Sequence, residues 1–562
     1  MTRLYNLSRP YKNEQVRVKV NFFLNYFLFV NYRVDKDDLF TVETPLSIFE
    51  NILIQLEENK LDHVPKYFDK YVSNSLIAYY TFSTGKENIA KFNNLVSCYN
   101  NGSQKKKKWL EGKKETLIIL VKDIIKELKE GMFKEYIRGI RRFLYCNHKL
   151  NEHLEDIKLA AQLIVSDLLL NGFAKEDIDK YFKGKDIYKA ICTPSLKKEE
   201  FAGLVDFRFK IRTANFLFKL NGIRLEQEDS DEIGNIFIDS CLSKKFNKLY
   251  TDIKGRKLLF LGDKYVDSNT FAIIGIEQNY RGSKYAKEQA ILKINPVIKD
   301  INTLGYHCTL DEKKFMITPD FDKYSIQSGF PNKDYNKERF SELRYDYGNS
   351  DAVDELSKFD HLYQSLNNND IDKYWHYLEV IYKSTSIFEG SNVDKAIECT
   401  SKILLHEYDR KIQCLWLRYY IFFRLDANRE ILGYTYDEIE KISNQVPNFD
   451  IEEMKKRVTN PFILDIIELI NIIESPKSQD DYQEVYTYYK NTLLELYEYR
   501  NHYIHVGKRA ENIAIKMEKV MPMLIYKFRR AVLREADRDP KKSLKQIMQS
   551  LEGRAKTKFN IS

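Results

Sequence analysis

Glycine and proline are scarce in this sequence, whose 562 residues include 21 glycines and 12 prolines. Both residues interrupt helices. Their scarcity, together with an apolar fraction of 43%, therefore favours a largely helical protein with ample hydrophobic cores. A chain of this length exceeds one compact core, and we expect two or three domains.

Cysteine is also sparse, and its seven residues are dispersed and odd in number, with no Cys-x-x-Cys pair. This pattern argues against a disulfide framework and a zinc ribbon, and it fits a reducing compartment. The sequence shows no charged and apolar segments of a secretory leader at its start. Its most apolar run, Val20 to Tyr32, is interrupted by asparagines and is too short to cross a bilayer. We therefore expect a cytoplasmic protein with no membrane partner.

The N-terminal region, residues 1–199, is mixed in pattern. Val16 to Val20 alternates between valine and basic residues, which predicts a strand. The run Asn-Asn-Gly-Ser at 100–103, followed by Lys105 to Lys108, predicts an exposed loop. From Glu115 to about Leu170, apolar residues recur at helical spacing. We expect a strand and a loop followed by helices.

The next region, residues 200–340, has the texture of an α+β domain. Tyr306 to Leu310 and Phe315 to Thr318 are separated by the polar run Asp311 to Lys314, which predicts a β-hairpin. Because we find no catalytic motif in residues 1–340, we assign this part of the chain a sensing or regulatory role by exclusion.

The C-terminal region, residues 345–562, predicts a bundle of four or five antiparallel helices. The fold class that we expect is therefore mainly α, with a mixed α+β N-terminal region before the bundle. Prolines, glycines and capping residues mark the helix ends. The predicted boundaries are a start near Pro461, an end at Ser475-Pro476, a cap at Ser478 or Asp480, and an end at Gly507.

The most specific feature is the run from Arg500 to His505, which reads R-N-x-x-x-H. Arginine holds phosphate with a fixed fork of donors, and histidine can move a proton near neutral pH. Asn501 and His505 are four residues apart and share a helix face, and the long Arg500 side chain can reach the same edge. With RNA, His505 would act as an acid or base in the attack of the ribose 2′-OH, and Arg500 would stabilise the charge at the scissile phosphate. His502, or a second copy of the motif across a dimer interface, would supply the other proton-transfer group.

Residues 493–507 resemble the R-N-x-x-x-H signature of HEPN-superfamily ribonucleases, and look most like the Apea-like branch of bacterial anti-phage defence. The resemblance extends over about residues 345–540. It implies Arg500 and His505 as the catalytic pair, Asn501 as their support, and RNA cleavage that needs no metal or cofactor. Glu379 is expected at the family's acidic position on another helix. The family's dimers imply a homodimer or higher homo-oligomer in which two motifs face one cleft.

RNA is the expected partner, whether tRNA, mRNA or rRNA, cleaved during phage infection after a phage-derived trigger. From Lys527 onward, eleven Lys or Arg residues stand against four acids, and such a surface suits a polyanion. A solvated helix face is the alternative interpretation. The residues that we expect to contact RNA are Lys508, Arg509, Arg529 and Arg530.

Other interpretations stay open. The chain could be an inactive HEPN-like module that binds RNA or protein, or the toxin half of a toxin–antitoxin pair. His502 and His505 form a weak metal pair that no Cys or carboxylate completes, so we expect no metal site. Arg142 and His148 repeat part of the motif without its asparagine, which favours a structural role, although a second HEPN unit stays open. The other histidines, among them His153, stand alone in the sequence and indicate packing or surface positions.

Overall fold

The structure is a computed structural model, and its described residues are 14–33, 42–73, 86–101, 106–175, 177–178, 202–222, 230–233, 236–240, 272–303, 307–318, 322–325, 350–359, 362–363, 366, 371–387, 392–408, 414, 417–422, 450–506 and 511–561. The chain forms two compact units, one from Met1–Ser166 together with Lys333–Ser562, and one from Asp167–Asn332. Helices make up most of the described residues, and the second unit adds a β-sheet. The expected fold class, mainly α with a mixed α+β region, is confirmed. The predicted division at 1–199, 200–340 and 345–562 remains a prediction.

Helices account for the described secondary structure up to residue 170. Two 3-10 turns, Leu61–His63 and Leu150–Glu152, join consecutive helices. The α-helices are α1 (Glu14–Arg33), α2 (Pro45–Glu57), α3 (Val64–Ser73), α4 (Lys86–Asn101), α5 (Lys106–Tyr145) and α6 (Leu154–Leu170).

The strand predicted at Val16 to Val20 is wrong, because these residues lie in the first turns of α1. The apolar run that follows is buried on every side of the helix, from Phe22 to Asn31. An alternation over five residues is too short to predict a strand when a longer buried apolar run follows it. The predicted loop at Lys105 to Lys108 is also wrong in part, since Lys106 begins α5, although the described lysines of this run are exposed.

The second unit contains a six-stranded antiparallel sheet in the order β2-β3-β4-β1-β5-β6. Helix α8 packs on it through a core of Ala290, Ile294 and the inward residues of the central strands. The elements are α7 (Ala202–Phe209), β1 (Arg212–Asn221), β2 (Ser230–Ile233), β3 (Ile236–Ser240), β4 (Ala272–Tyr280), α8 (Ser283–Thr303), β5 (Thr309–Thr318) and β6 (Asp322–Ser325).

The hairpin predicted around Asp311 to Lys314 is wrong, because β5 runs continuously through these residues. Its pairing with β1 jumps from Leu220 opposite Leu310 to Phe218 opposite Phe315. The polar run is therefore an irregularity that β5 absorbs without reversing direction. The next strand, β6, begins at Asp322 and pairs antiparallel with β5.

Six of the C-terminal helices bury their apolar faces in one core. The elements are α9 (Asp351–Ser357), α10 (Ile371–Thr385), α11 (Val393–Leu404) with a 3-10 turn at Leu405–Glu407, α12 (Ile451–Arg457), α13 (Pro461–Glu474), α14 (Gln479–Val506), α15 (Glu511–Arg538) and α16 (Leu544–Lys558). The shared core contains residues from α9, α10, α11, α14, α15 and α16. Helix α13 instead packs against α1, with the Phe462 ring 6.0 Å from that of Phe29.

Most predicted helix boundaries of this region are confirmed. Asn460 caps α13 by accepting from the Phe462 amide at 3.0 Å, and Pro461 is its first residue. The helix ends before Ser475, and Ser478 accepts from the Asp481 amide at 3.1 Å at the start of α14. Helix α14 ends at Val506, while Gly507 lies outside the described residues.

None of the helices in the described part of the chain combines the length and the apolar character needed to cross a bilayer.

Candidate active site

Helix α14 carries the R-N-x-x-x-H motif in its last turns. Arg500 and Asn501 are described with their side chains, whereas the side chains of residues 502–506 lie outside the description. His502 and His505 are thus placed on the α14 backbone alone. Their positions follow Asn501 by one and four residues, so His505 lies one helical turn beyond Asn501.

The Arg500 guanidinium contacts two polar groups. Its Nη1 donates to Asn501 Oδ1 at 3.2 Å, and its Nη2 lies 3.5 Å from Glu379 Oε2 on α10. Glu379 also accepts from Lys383 at 2.8 Å. Three groups predicted from the sequence, Arg500, Asn501 and Glu379, therefore lie together although 121 residues separate Glu379 from Arg500. Their catalytic roles remain predictions.

A cleft of about 450 Å³ opens beside this arginine between α10, α11 and α14. Glu379, Lys383 and Arg500 give its lining one net positive charge, which suits a phosphate group. The Trp375 and Tyr497 rings meet at its wall with centroids 5.1 Å apart. The lining residues are Trp375, Glu379, Tyr382, Lys383, Ser386, Asn392, Val393, Ala396, Tyr497 and Arg500.

The phenol of Tyr382 is a structural member of this cleft. Burial raises its pKa well above the ordinary value, and its hydroxyl lies 2.7 Å from that of Thr400. The phenol therefore stays neutral at physiological pH. The ionised groups described in the lining are therefore the Glu379 carboxylate and the cations of Lys383 and Arg500.

On the opposite face of α14, buried ion pairs join the helix to neighbouring elements. Glu498 lies about 160° around the helix from Arg500, using ~100° per residue. Its carboxylate is 2.5 Å from His63 Nδ1 and 3.2 Å from Lys66 Nζ, both from the N-terminal helices. One turn earlier, Glu495 pairs with Lys516 of α15 at 2.7 Å. These contacts fix the rotation of α14 so that Arg500 faces α10.

Of the predicted RNA-contact residues, the two that the structure describes do not lie on one exposed surface. Arg530 is buried and its Nε lies 3.3 Å from Glu407 Oε2, which does not fit the prediction that it binds RNA. Arg529 is half-buried, lies 4.6 Å over the Tyr363 ring and donates to the Tyr377 hydroxyl at 3.2 Å. Lys508 and Arg509 lie outside the described residues.

Many cations of the basic tail are likewise paired within the fold. Arg534 contacts Glu407 at 2.9 Å, Arg554 contacts Glu535 at 2.5 Å, and Lys556 contacts Glu552 at 3.1 Å. Glu535 and Glu552 belong to the tail itself and were already counted against its cations, whereas Glu407 lies outside the tail and holds Arg530 and Arg534. The positive excess of the tail therefore remains, but these two arginines are engaged within the fold, and RNA binding by the tail remains a prediction.

One cluster was missed in the sequence. His153 does not stand alone: its Nε2 lies 3.0 Å from His148 Nδ1, and both lie near Cys146. The spacing Cys-x-His-x4-His was the available signal. Arg142 lies on α5 whereas His148 follows its end, so the two do not share a helix face. The structural interpretation of that pair remains a prediction.

Comparison with known proteins identifies no relative. No protein-family model, curated protein or solved structure matches this chain. The resemblance to HEPN ribonucleases therefore rests on the motif residues themselves.

Proposed function

We propose that this chain is a metal-independent endoribonuclease of the HEPN type that acts in bacterial anti-phage defence. The main supporting observation is the position of the Arg500 guanidinium in the R-N-x-x-x-H sequence. This group borders a cleft and contacts both Asn501 and Glu379. An arginine oriented by a carboxylate and an amide is suited to receive a phosphate in a defined position.

In the proposed reaction, Arg500 binds the scissile phosphate and stabilises the charge that develops on its oxygens. His505 exchanges a proton with the ribose 2′-OH or with the leaving 5′-oxygen. The 2′-oxygen forms a bond to phosphorus as the bond to the 5′-oxygen breaks, which leaves a cyclic phosphate and a 5′-hydroxyl. The second proton-transfer group comes from the facing motif of a dimer, or from His502.

Glu379 is a positioning residue in this proposal. It touches Arg500 and not the reacting atoms, and its bond to Lys383 holds it on the surface of α10. A guanidinium has five N–H donors in a fixed plane. One edge can therefore meet the Glu379 carboxylate while another meets a phosphate oxygen.

Residues 1–340 are proposed to sense infection or to restrain the nuclease. The contacts of His63 and Lys66 with Glu498 support a mechanical link between the N-terminal helices and α14. A change in those helices would act on the helix that bears Arg500, through the face opposite the cleft.

The test is inducible expression of the full chain in bacteria, with and without phage, followed by cell viability and total-RNA integrity. His505→Ala should lower cleavage by roughly 10²- to 10⁴-fold. Arg500→Lys keeps the charge but loses the fork, and should also abolish protection. His376→Ala, an exposed histidine on α10, is the matched control and should behave as the wild type.

Equal RNA integrity in wild type and His505→Ala under every condition would end the nuclease proposal. RNA that binds both proteins equally, in a salt-dependent way and without cleavage, would instead support the binding-module alternative. Toxicity that a neighbouring gene product neutralises would support the toxin–antitoxin alternative.

A further inference from the structure

The turn between α5 and α6 brings together three side chains of metal-binding type. Cys146 Sγ and one ring nitrogen each of His148 and His153 lie within 4.8 Å of one another. The nearest nitrogens, His148 Nδ1 and His153 Nε2, are 3.0 Å apart. On a tetrahedral zinc ion with Zn–N bonds of about 2.0–2.1 Å, two nitrogens would be roughly 3.3 Å apart, so a shift of a few tenths of an ångström admits the ion.

Neighbouring groups orient these ligands. Asp156 Oδ2 lies 3.2 Å from His153 Nδ1, which directs Nε2 of that ring toward the cluster. A carboxylate behind a histidine in this way is the usual support of a metal-binding imidazole. Lys19 of α1 is fully buried, and its Nζ donates to Cys146 O at 2.7 Å and to Cys146 Sγ at 3.2 Å. Hydrogen bonds to a ligand sulfur commonly accompany thiolate metal sites.

The backbone of the turn is held in place without an ion. The Cys146 amide donates to Arg142 O at 3.2 Å, and the His153 amide donates to Leu150 O at 3.0 Å. Leu150 is buried and anchors the 3-10 turn between the ligands. The ligand positions are therefore preorganised, and binding costs little further ordering of the chain.

We propose that Cys146, His148 and His153 bind a zinc ion that joins the end of α5 to the start of α6. A sulfur and two imidazoles are the donor set that zinc accepts in tetrahedral sites, with water in the fourth position. Binding replaces the thiol proton of Cys146, which passes to solvent. The ion would connect the corner that also receives Lys19 of α1. The site shares no residue with the cleft at Arg500, and it is independent of the proposed ribonuclease activity.

The test uses the full chain, stripped of metal with a chelator and titrated with Co²⁺ as a spectroscopic substitute for zinc. We expect one ion per chain, a thiolate-to-cobalt charge-transfer band and the intense visible bands of tetrahedral cobalt, all lost when zinc is added. His148→Ala, at an exposed position, should weaken cobalt binding by more than 100-fold, and Asp156→Asn by roughly 10- to 100-fold.

The matched controls are Cys98→Ser, which removes an exposed thiol outside the cluster, and His505→Ala, which removes the alternative histidine pair. Both should keep the wild-type spectrum. A wild-type protein without a thiolate band would overturn the proposal, and so would a band that survives in Cys146→Ser or disappears in His505→Ala. Circular dichroism of each variant checks that a lost band is not a lost fold.

Discussion

Replacing Lys516 with methionine would remove the centre of a buried charge network beneath the motif helix. Its Nζ lies 2.7 Å from Glu495 Oε2 and 3.0 Å from Glu43 Oε1. Burial by itself lowers the pKa of the Lys516 ammonium, but the two carboxylates outweigh that effect and raise the pKa above its usual range. The ammonium is therefore charged at every pH at which the protein would be studied.

The expected cost follows from what remains after the substitution. The side chain of Glu495 is 1% exposed, so without this ammonium its charge is left in a poorly solvated position. Removing one partner of such a pair costs about 3–5 kcal/mol, whereas replacing both with apolar residues is often neutral. We therefore expect Lys516→Met to lower the free energy of unfolding by about 3–5 kcal/mol, and Lys516→Met with Glu495→Met to recover most of that loss.

The measurement is urea unfolding followed by tryptophan fluorescence. All three tryptophans, Trp109, Trp375 and Trp416, belong to the unit that contains α14, so the signal reports on that unit. Lys541→Met, at an exposed position, is the control and should change the free energy by less than about 0.5 kcal/mol. A Lys516→Met variant as stable as this control, or a double variant less stable than the single one, would refute the reasoning.

Three further changes test local features. Burial lowers the pKa of His406 in the folded protein. The contribution of His406 to stability is therefore present above about pH 6.5 and is lost as the pH falls through that value toward the folded pKa. His406→Gln should flatten this pH dependence of the free energy of unfolding. Asn460→Ala removes the cap of α13 and should cost about 0.5–2 kcal/mol in urea unfolding. Gly172→Ala should destabilise the second unit by more than about 1 kcal/mol, seen as faster hydrogen exchange in α8, because φ is +78° and a Cβ would lie 2.2 Å from that of Tyr285.

Each of these three predictions has an outcome that would contradict it. Identical pH profiles for wild type and His406→Gln would show that another group titrates. An Asn460→Ala protein of unchanged stability would mean that water replaces the cap. Gly112→Ala is the control for the glycine: nothing lies within 4 Å of its added Cβ, so a mid-helix alanine should stabilise by roughly 0.5–1 kcal/mol. Equal effects at Gly172 and Gly112 would contradict the steric argument.

Local signals in the sequence were sufficient for particular helix ends of the C-terminal region, but the expected four or five helices are too few, since its described residues form eight α-helices. Asn460-Pro461 and Ser475-Pro476 mark the two ends of α13, and Ser478 caps α14 as expected. Trp375, Leu378 and Ile381 recur at helical spacing and are all buried. Such features depend on a few neighbouring residues, so a single sequence carries them in full.

Predictions from local sequence signals were wrong where packing between distant residues favours a different structure. The alternation at Val16 to Val20 is overridden by the buried run that follows it, and α1 results. The polar residues Asp311 to Lys314 look like a turn, yet pairing on both sides keeps β5 extended. The charge count after Lys527 could not show that Arg530 and Arg534 meet Glu407, because that contact joins separate elements of the fold.

The sequence by itself determined the helical class of this protein, several helix ends and the R-N-x-x-x-H motif, because each is written within one or two turns of chain. Only the tertiary structure decided that Glu379 meets Arg500, that Arg530 is buried, and that Cys146, His148 and His153 converge. Such contacts join side chains through the packing of separate elements. Their distances depend on helix rotation and crossing, which packing across the whole unit determines.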